Sequence, residues 1–179
     1  MKNTIVKFLM IMILGANLMA QPYIKQSLNG TWKFIYDRTN EGLKKEYYLP
    51  EYSKEKWQEF FVPSFWYEAE YDGIGWYALD FIPDDSLSKK KLALIFDAVD
   101  DEAEVFLNGR AIHKHSGANV RFAVDVSENI YRNKTNHLVV KINDTGGPGG
   151  LCGDLYLRSF EQQEDLQKSD YFSRESTPL

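Results

Sequence analysis

The chain has 179 residues, 21 basic and 26 acidic side chains, a formal net charge of −5 and 44% hydrophobic residues. That length suits one domain with a real core and leaves no room for an α/β barrel beside it. The acid excess gives no electrostatic footprint for nucleic acid or for an anionic membrane surface.

Residues 1–20 differ from the rest. Lys2 and Lys7 open a positive stretch, "FLMIMILGA" (8–16) is apolar, and small residues stand at Gly15, Ala16 and Ala20. This layout predicts a secretory signal peptide cleaved after Ala20, and hence a secreted or periplasmic protein. The apolar run is too short for a bilayer, so no membrane span is expected after cleavage. One cysteine, Cys152, allows no internal disulfide. Its place in a Gly-rich turn predicts a small buried residue rather than a nucleophile.

From residue 21 to 160 the chain reads as short alternating segments separated by Gly, Pro, Asn and Asp. "TWKFIYD" puts Trp32, Phe34 and Tyr36 on one face. "GWYALDF" starts a strand after the turn "YDGIG", and "KLALIFDAV" alternates Leu92, Leu94, Phe96 and Ala98. "VRFAVDV", "NHLVVKIND" and "GDLYLRSF" follow as strands, with a hairpin across 99–117. "SKEKW" and "SENIY" are expected to form helical turns, the second capped by Ser127. About seven or more short strands without long helices predict an all-β fold, an antiparallel β-sandwich of jelly-roll type. Residues 161–179 are polar and lack periodicity, which predicts a frayed tail or a severed linker.

The stretch "VDDEAEVFLNGRAIHKHSG" (99–117) carries the densest set of titratable groups. A two-residue turn at Asn108-Gly109 pairs Leu107 with Arg110. Continued without interruption, that register sets Val105 opposite Ile112, Glu104 opposite His113 and Glu102 opposite His115. Ala103, Val105, Leu107 and Ile112 then face the core, while Glu102, Glu104, His113 and His115 share the outer face. Such a face is that of solvated opposite-charge pairs, and it is also a donor set able to take zinc. Acid-rich loops at Asp84-Asp85 or Asp100-Asp101 could supply oxygens to a structural calcium ion. No other cofactor is expected.

Catalysis finds little support. Glycoside hydrolysis needs two carboxyl groups facing across a cleft, whereas Asp100, Asp101, Glu102 and Glu104 crowd one strand. No G-x-S-x-G elbow occurs, and Ser116 reads as a turn residue. No catalytic residue is assigned. Binding is better served. Aromatic residues make up 15% of the chain, most expected in the core, with rings to spare for stacking on sugars. A sugar site needs a flat ring and a few fixed polar groups. "FWYEAEYDGIGW" offers Trp66, Tyr67, Glu68, Tyr71 and Asp72.

Several blocks occur in a telling order: "SLNGTWKF" (27–34), "VPSFW" (62–66), "YDGIGWY" (71–77), "VDDEAEVFLNG" (99–109), "HSGANVRFAVDV" (115–126) and "NDTGGPGGLCGDLYL" (143–157). Together they resemble the N-terminal sugar-binding jelly roll of family-two glycoside hydrolases, the β-galactosidase and β-glucuronidase group, which has a galactose-binding-domain-like fold. The "DDEAEVFLNG" block and the last block are also similar to the jelly roll of sialate O-acetylesterases. The sequence departs from the pattern at Ala78 and Leu79, where arginines are usual, and at Ala118, where a glycine is usual. The resemblance implies that the loops around "YDGIG" and "NDTGGPGG" lie at one end of the sandwich, with Glu68, Asp72 and Asp144 as sugar or ion contacts. It implies a galactoside- or glucuronide-containing glycan as partner, and a catalytic domain or protein elsewhere. Three roles stay open at this point: a non-catalytic carbohydrate-binding domain, the front part of a larger glycoside hydrolase, and a protein-docking module that binds no sugar.

Overall fold

The computed structural model describes residues 23–66 and 71–166. The expected signal peptide, and residues 167–179 of the expected tail, lie outside them. Ten strands form two antiparallel sheets. They are β1 (Lys25–Ser27), β2 (Gly30–Tyr36), β3 (Gln58–Val62), β4 (Gly73–Phe81), β5 (Lys91–Phe96), β6 (Glu102–Leu107), β7 (Arg110–Ser116), β8 (Phe122–Asp125), β9 (Asn136–Asp144) and β10 (Leu155–Phe160). One sheet has the order β1-β10-β5-β8 and the other β3-β2-β4-β9-β6-β7. The all-β sandwich expected from the alternation is what forms. The helical turns expected at "SKEKW" and "SENIY" are simple turns. Short 3-10 turns occur instead at Asp85–Leu87 and Gln163–Leu166.

The core lies between the sheets, where Trp32, Phe34, Tyr77, Leu94, Phe96, Val105, Val140 and Leu157 are sealed from solvent. Burial of this much apolar surface is the main stabilising term for a chain with no disulfide. β4 and β9 form the long central ladder, running from Gly73 opposite Asp144 to Phe81 opposite Asn136. This ladder separates two ends of the molecule by roughly 25 Å.

The six-stranded sheet is buried on its outer face as well. Residues 37–57 fold back over it and bring Tyr47, Tyr48, Tyr52 and Trp57 onto Trp76, Ala78, Phe106 and Val139. Asp37 makes the reversal: its carboxylate accepts the N–H groups of Glu41 (2.9 Å) and Gly42 (2.8 Å) and the indole N–H of Trp76 (3.1 Å). Burial on both faces is why these strands contain apolar runs such as "WYA" and "LVV" rather than strict alternation. Ala78 leaves room for the covering layer.

On the outer face of the four-stranded sheet, Leu166 packs with Ala93, Ile95, Tyr156 and Phe160. Arg158 donates to the carbonyl of Asp165 (2.7 Å) and Arg121 to that of Leu166 (3.2 Å). The chain therefore stays packed through Leu166 and does not fray at Glu161. Polar composition hid this, because one leucine and two arginine–carbonyl contacts suffice to dock a single turn.

The 99–117 hairpin has the expected turn, with Asn108 and Gly109 at φ of 53° and 79° and Leu107 opposite Arg110. The register then shifts between Val105 and Phe106, which sets Val105 opposite His113 rather than Ile112. Ile112 is the extra residue of a β-bulge, and it packs against the core. Every pair beyond it changes partner. Glu104 faces Lys114, with an ion pair of 3.1 Å, and Glu102 faces Ser116. His113 and His115 move to the inner side opposite Val105 and Ala103, where both rings stack on Phe122 at 5.3 and 4.1 Å. The expected outer face of Glu102, Glu104, His113 and His115 does not form.

Candidate functional site

Three segments close the end of the sandwich beyond Asp144. Residues 64–66 pair with the glycine-rich loop through Ser64 N–H to Leu151 O and Trp66 N–H to Gly149 O, both 2.9 Å. Asp100 donates its N–H to Gly150 O at 3.1 Å and bridges that residue. Trp66 is the keystone of this end. It is 2% exposed and stacks on Tyr77. A Cβ at Gly75 would fall 2.2 Å from its ring, and one at Gly149 would fall 2.4 Å away. Those two glycines are therefore dictated by the indole. Trp66 offers no face to a sugar, so the expectation of a stacking platform there is corrected: the ring fills the corner of the core.

Asp144, at the end of β9, is 2% exposed. Its carboxylate accepts the Gly146 N–H at 3.0 Å and the Trp66 indole N–H at a long 3.4 Å. Asp100 is buried nearby. Burial holds its carboxyl above the ordinary carboxylate range. The Asp101 N–H opposes this shift, and the charges of Asp101 and Asp144 add to it. Asp101 turns outward at φ 52° and is held low by Thr145, whose hydroxyl and N–H donate to it at 2.5 and 2.7 Å. Two adjacent acids thus sit in opposite environments, one crowded and one well solvated by donors.

The ring of Tyr71 stands beside this corner. Its hydroxyl donates to Ile74 O and accepts from Ile74 N–H, both at 3.0 Å, so the ring is fixed. Tyr36 meets it edge-on at 4.8 Å, and the Arg38 guanidinium lies 4.8 Å over its face. Asp72 is exposed beside it. Tyr67 and Glu68 lie outside the described residues. Of the residues expected from the sequence, Trp66, Tyr71, Asp72 and Asp144 are brought to one end. Tyr36, Arg38 and Asp100 join them; the sequence marked Tyr36 only as a strand residue and Asp100 only as an acid of the 99–117 stretch, and did not single out Arg38. The end of the alternating segment "TWKFIYD" was the available signal for Tyr36.

Metal ligation is not supported by this geometry. Among the described residues, no group of three or more His, Cys, Asp and Glu side chains is placed to hold an ion. Calcium needs six to eight oxygens. Asp84 and Asp85 are both exposed, while Asp101 is committed to Thr145. Cys152 is half-buried, donates to Asn119 Oδ1 (3.1 Å), and has its thiol pushed up by burial and by Asp100. It is a poor nucleophile. No helix among the described residues is long and apolar enough to cross a membrane.

Known proteins share this fold. Residues 68–151 match the family described as "Glycosyl hydrolases family 2, sugar binding domain". A beta-galactosidase of Thermoanaerobacter pseudethanolicus is 30% identical over 122 residues, covering 68% of this chain and 15% of that protein. The solved Lactobacillus rhamnosus beta-glucuronidase is 27% identical with a TM-score of 0.70, covering 79% of this chain and 29% of that one. A Ruminococcus gnavus beta-glucuronidase at 23% identity has the same fold, with a TM-score of 0.70 over 77% of this chain and 29% of its own. The chain spans less than a third of the length of each of these relatives. Ordered sequence blocks, family match and sandwich topology converge: residues 68–151 are those of a sugar binding domain like that of the family 2 glycosyl hydrolases.

Proposed function

We propose that this domain recognises a galactoside- or glucuronide-containing glycan at the loop end. The observation that carries the reading is the match of residues 68–151 to a sugar-binding family, at whose loop end Asp72 is exposed beside the fixed ring of Tyr71. An exposed carboxylate accepts hydrogen bonds from sugar hydroxyls, while Asp100 and Asp144 are sealed in the corner behind it. Tyr71 and Asp72 frame the same corner. The names of two relatives, a beta-galactosidase and a beta-glucuronidase, support this choice of sugar class. The amino-terminal segment supports export, so the glycan is met outside the cytoplasm.

The test is a glycan array bearing galactose- and glucuronate-terminated oligosaccharides, probed with the native domain and with Asp72→Asn. Binding is expected, with at least about a tenfold loss in the variant, the cost of one charge-assisted hydrogen bond. No binding anywhere on the array sinks the reading. A second reading is that the domain works only as part of a glycoside hydrolase, and the 15–29% coverage of the relatives favours it. An adjoining reading frame that encodes a catalytic barrel would support it.

A further inference from the structure

The opposite end of the sandwich holds a second built site. Here the β6–β7 turn, the start of β9 and the end of β4 surround a groove of about 270 Å³ lined by Pro50, Asp80, Asn108, Tyr131, Thr135 and His137. Asp80 and His137 face each other across β4 and β9, with imidazole Nδ1 2.5 Å from the carboxylate. The imidazole thereby fixes the orientation of a carboxylate that is 64% exposed. Tyr131 is 53% exposed, yet its backbone is pinned. The side chain of Asn136, itself fully buried, accepts the Tyr131 N–H at 2.8 Å and donates to the Tyr131 carbonyl at 2.8 Å. Arg132, the next residue, donates to the carbonyls of Leu87, Lys90 and Ser127.

An exposed aromatic ring on a rigid loop, beside an oriented carboxylate and the exposed Thr135 hydroxyl, has what a saccharide contact requires. The local charges argue for a neutral ligand. Asp80 and Glu51 oppose an anion, and Lys54 opposes a cation, all three being close enough to act on His137. We propose that this groove binds a neutral saccharide, with Tyr131 stacking on the apolar face of a pyranose and Asp80 accepting from its hydroxyls. The site lies roughly 25 Å from the loop end, so one oligosaccharide of a few residues does not fill both. The inference rests on the reading of the domain as a carbohydrate binder, but not on where the loop end binds.

The experiment titrates lactose and cellobiose into the ¹⁵N-labelled protein and follows amide shifts. Shifts are expected at Tyr131, Thr135 and His137. Tyr131→Ala should weaken this binding at least about tenfold, and Tyr131→Phe should retain it. Shifts confined to Asp72 and Asp144 overturn this proposal while sparing the loop-end reading. Shifts at Tyr131, Thr135 and His137 with none at the loop end do the reverse. Absence of any shift with both sugars, or undiminished binding in Tyr131→Ala, also overturns it.

Discussion

The two ends of the sandwich use aromatic rings and acids in opposite ways. At the loop end the large ring, Trp66, is sealed inside, and the acids Asp100 and Asp144 are buried beside each other. At the hairpin end the ring of Tyr131 stands in solvent and the acid Asp80 is relieved by a histidine. One end is built around a packed ring. The other is built around the hydrogen bonds of Asn136 and His137. Exposure, not residue type, separates a ring that holds a fold from one that can meet a ligand.

The largest effects should come from breaking the packed end. Trp66→Ala empties a fully enclosed site and is expected to cost about 3–5 kcal/mol. Gly149→Ala drives a methyl group into the same ring from the other side and should cost up to about 3 kcal/mol. Tyr131→Ala, a larger change in exposed area, should stay within about 0.5 kcal/mol. Urea unfolding of the three variants checks this ranking. A Tyr131→Ala cost as large as that of Trp66→Ala would abolish the distinction between the ends.

Next comes Asn136→Ala, which attacks the hydrogen-bonded end. Asn136 bridges Tyr131, Lys134 and Asn108, and its loss leaves part-buried backbone groups without these partners. A cost of about 2–3 kcal/mol is expected. Asn136→Asp, which keeps the acceptor and removes the donors, should recover part of it.

How far these ends could be read from the sequence depends on the residue. Asn108-Gly109 announced its turn, because both positions need positive φ and few other pairs supply it. The alternation of "NHLVVKIND" announced β9 and so placed Asp144 at a strand end. The bulge at Ile112 carried no mark, since an extra apolar residue that still reaches the core leaves the pattern intact. That single insertion moved His113 and His115 from the outer to the inner face. Burial of Trp66 depends on Gly75 and Gly149, which meet only in three dimensions. The aromatic layer over the outer face was hidden because Tyr47, Tyr48, Tyr52 and Trp57 follow no strand or helix period.

Acid should separate the ends further. Burial lowers the basicity of His137, a shift that its bond to Asp80 only partly offsets, and burial likewise lowers His113. Protonating His137 would place an N–H at Nε2, which has no acceptor among the described residues. With both folded values depressed, the unfolded chain binds more protons. Their contribution to stability is full above the unfolded value of about 6.5 and is lost as pH falls through the folded values. The unfolding midpoint should therefore drop from about pH 7 to about pH 5, and His137→Gln should drop less steeply while costing about 1–2 kcal/mol at neutral pH. A parallel pH profile in the variant would remove His137 from this account.

The smallest effect has the opposite sign. Asp100 has its carboxyl raised by burial and by neighbouring acids, so the folded state binds its proton more readily than the unfolded chain does. Its contribution is favourable at low pH and declines as pH rises above the unfolded value, about 3.9. Asp100→Asn keeps the shape, removes the charge and relieves Asp144. It should gain about 0.5–1 kcal/mol at neutral pH, and the gain should vanish at acid pH where Asp100 is already protonated. On the glycan array the same variant should bind within about twofold of the native domain, because this side chain is sealed behind the corner. Stability gained with affinity unchanged identifies the crowding of Asp100 and Asp144 as a cost of the packed corner rather than a contact with the ligand. Stability lost on Asp100→Asn would instead make the acid a structural partner of the Asp101 N–H, which it accepts at 3.2 Å.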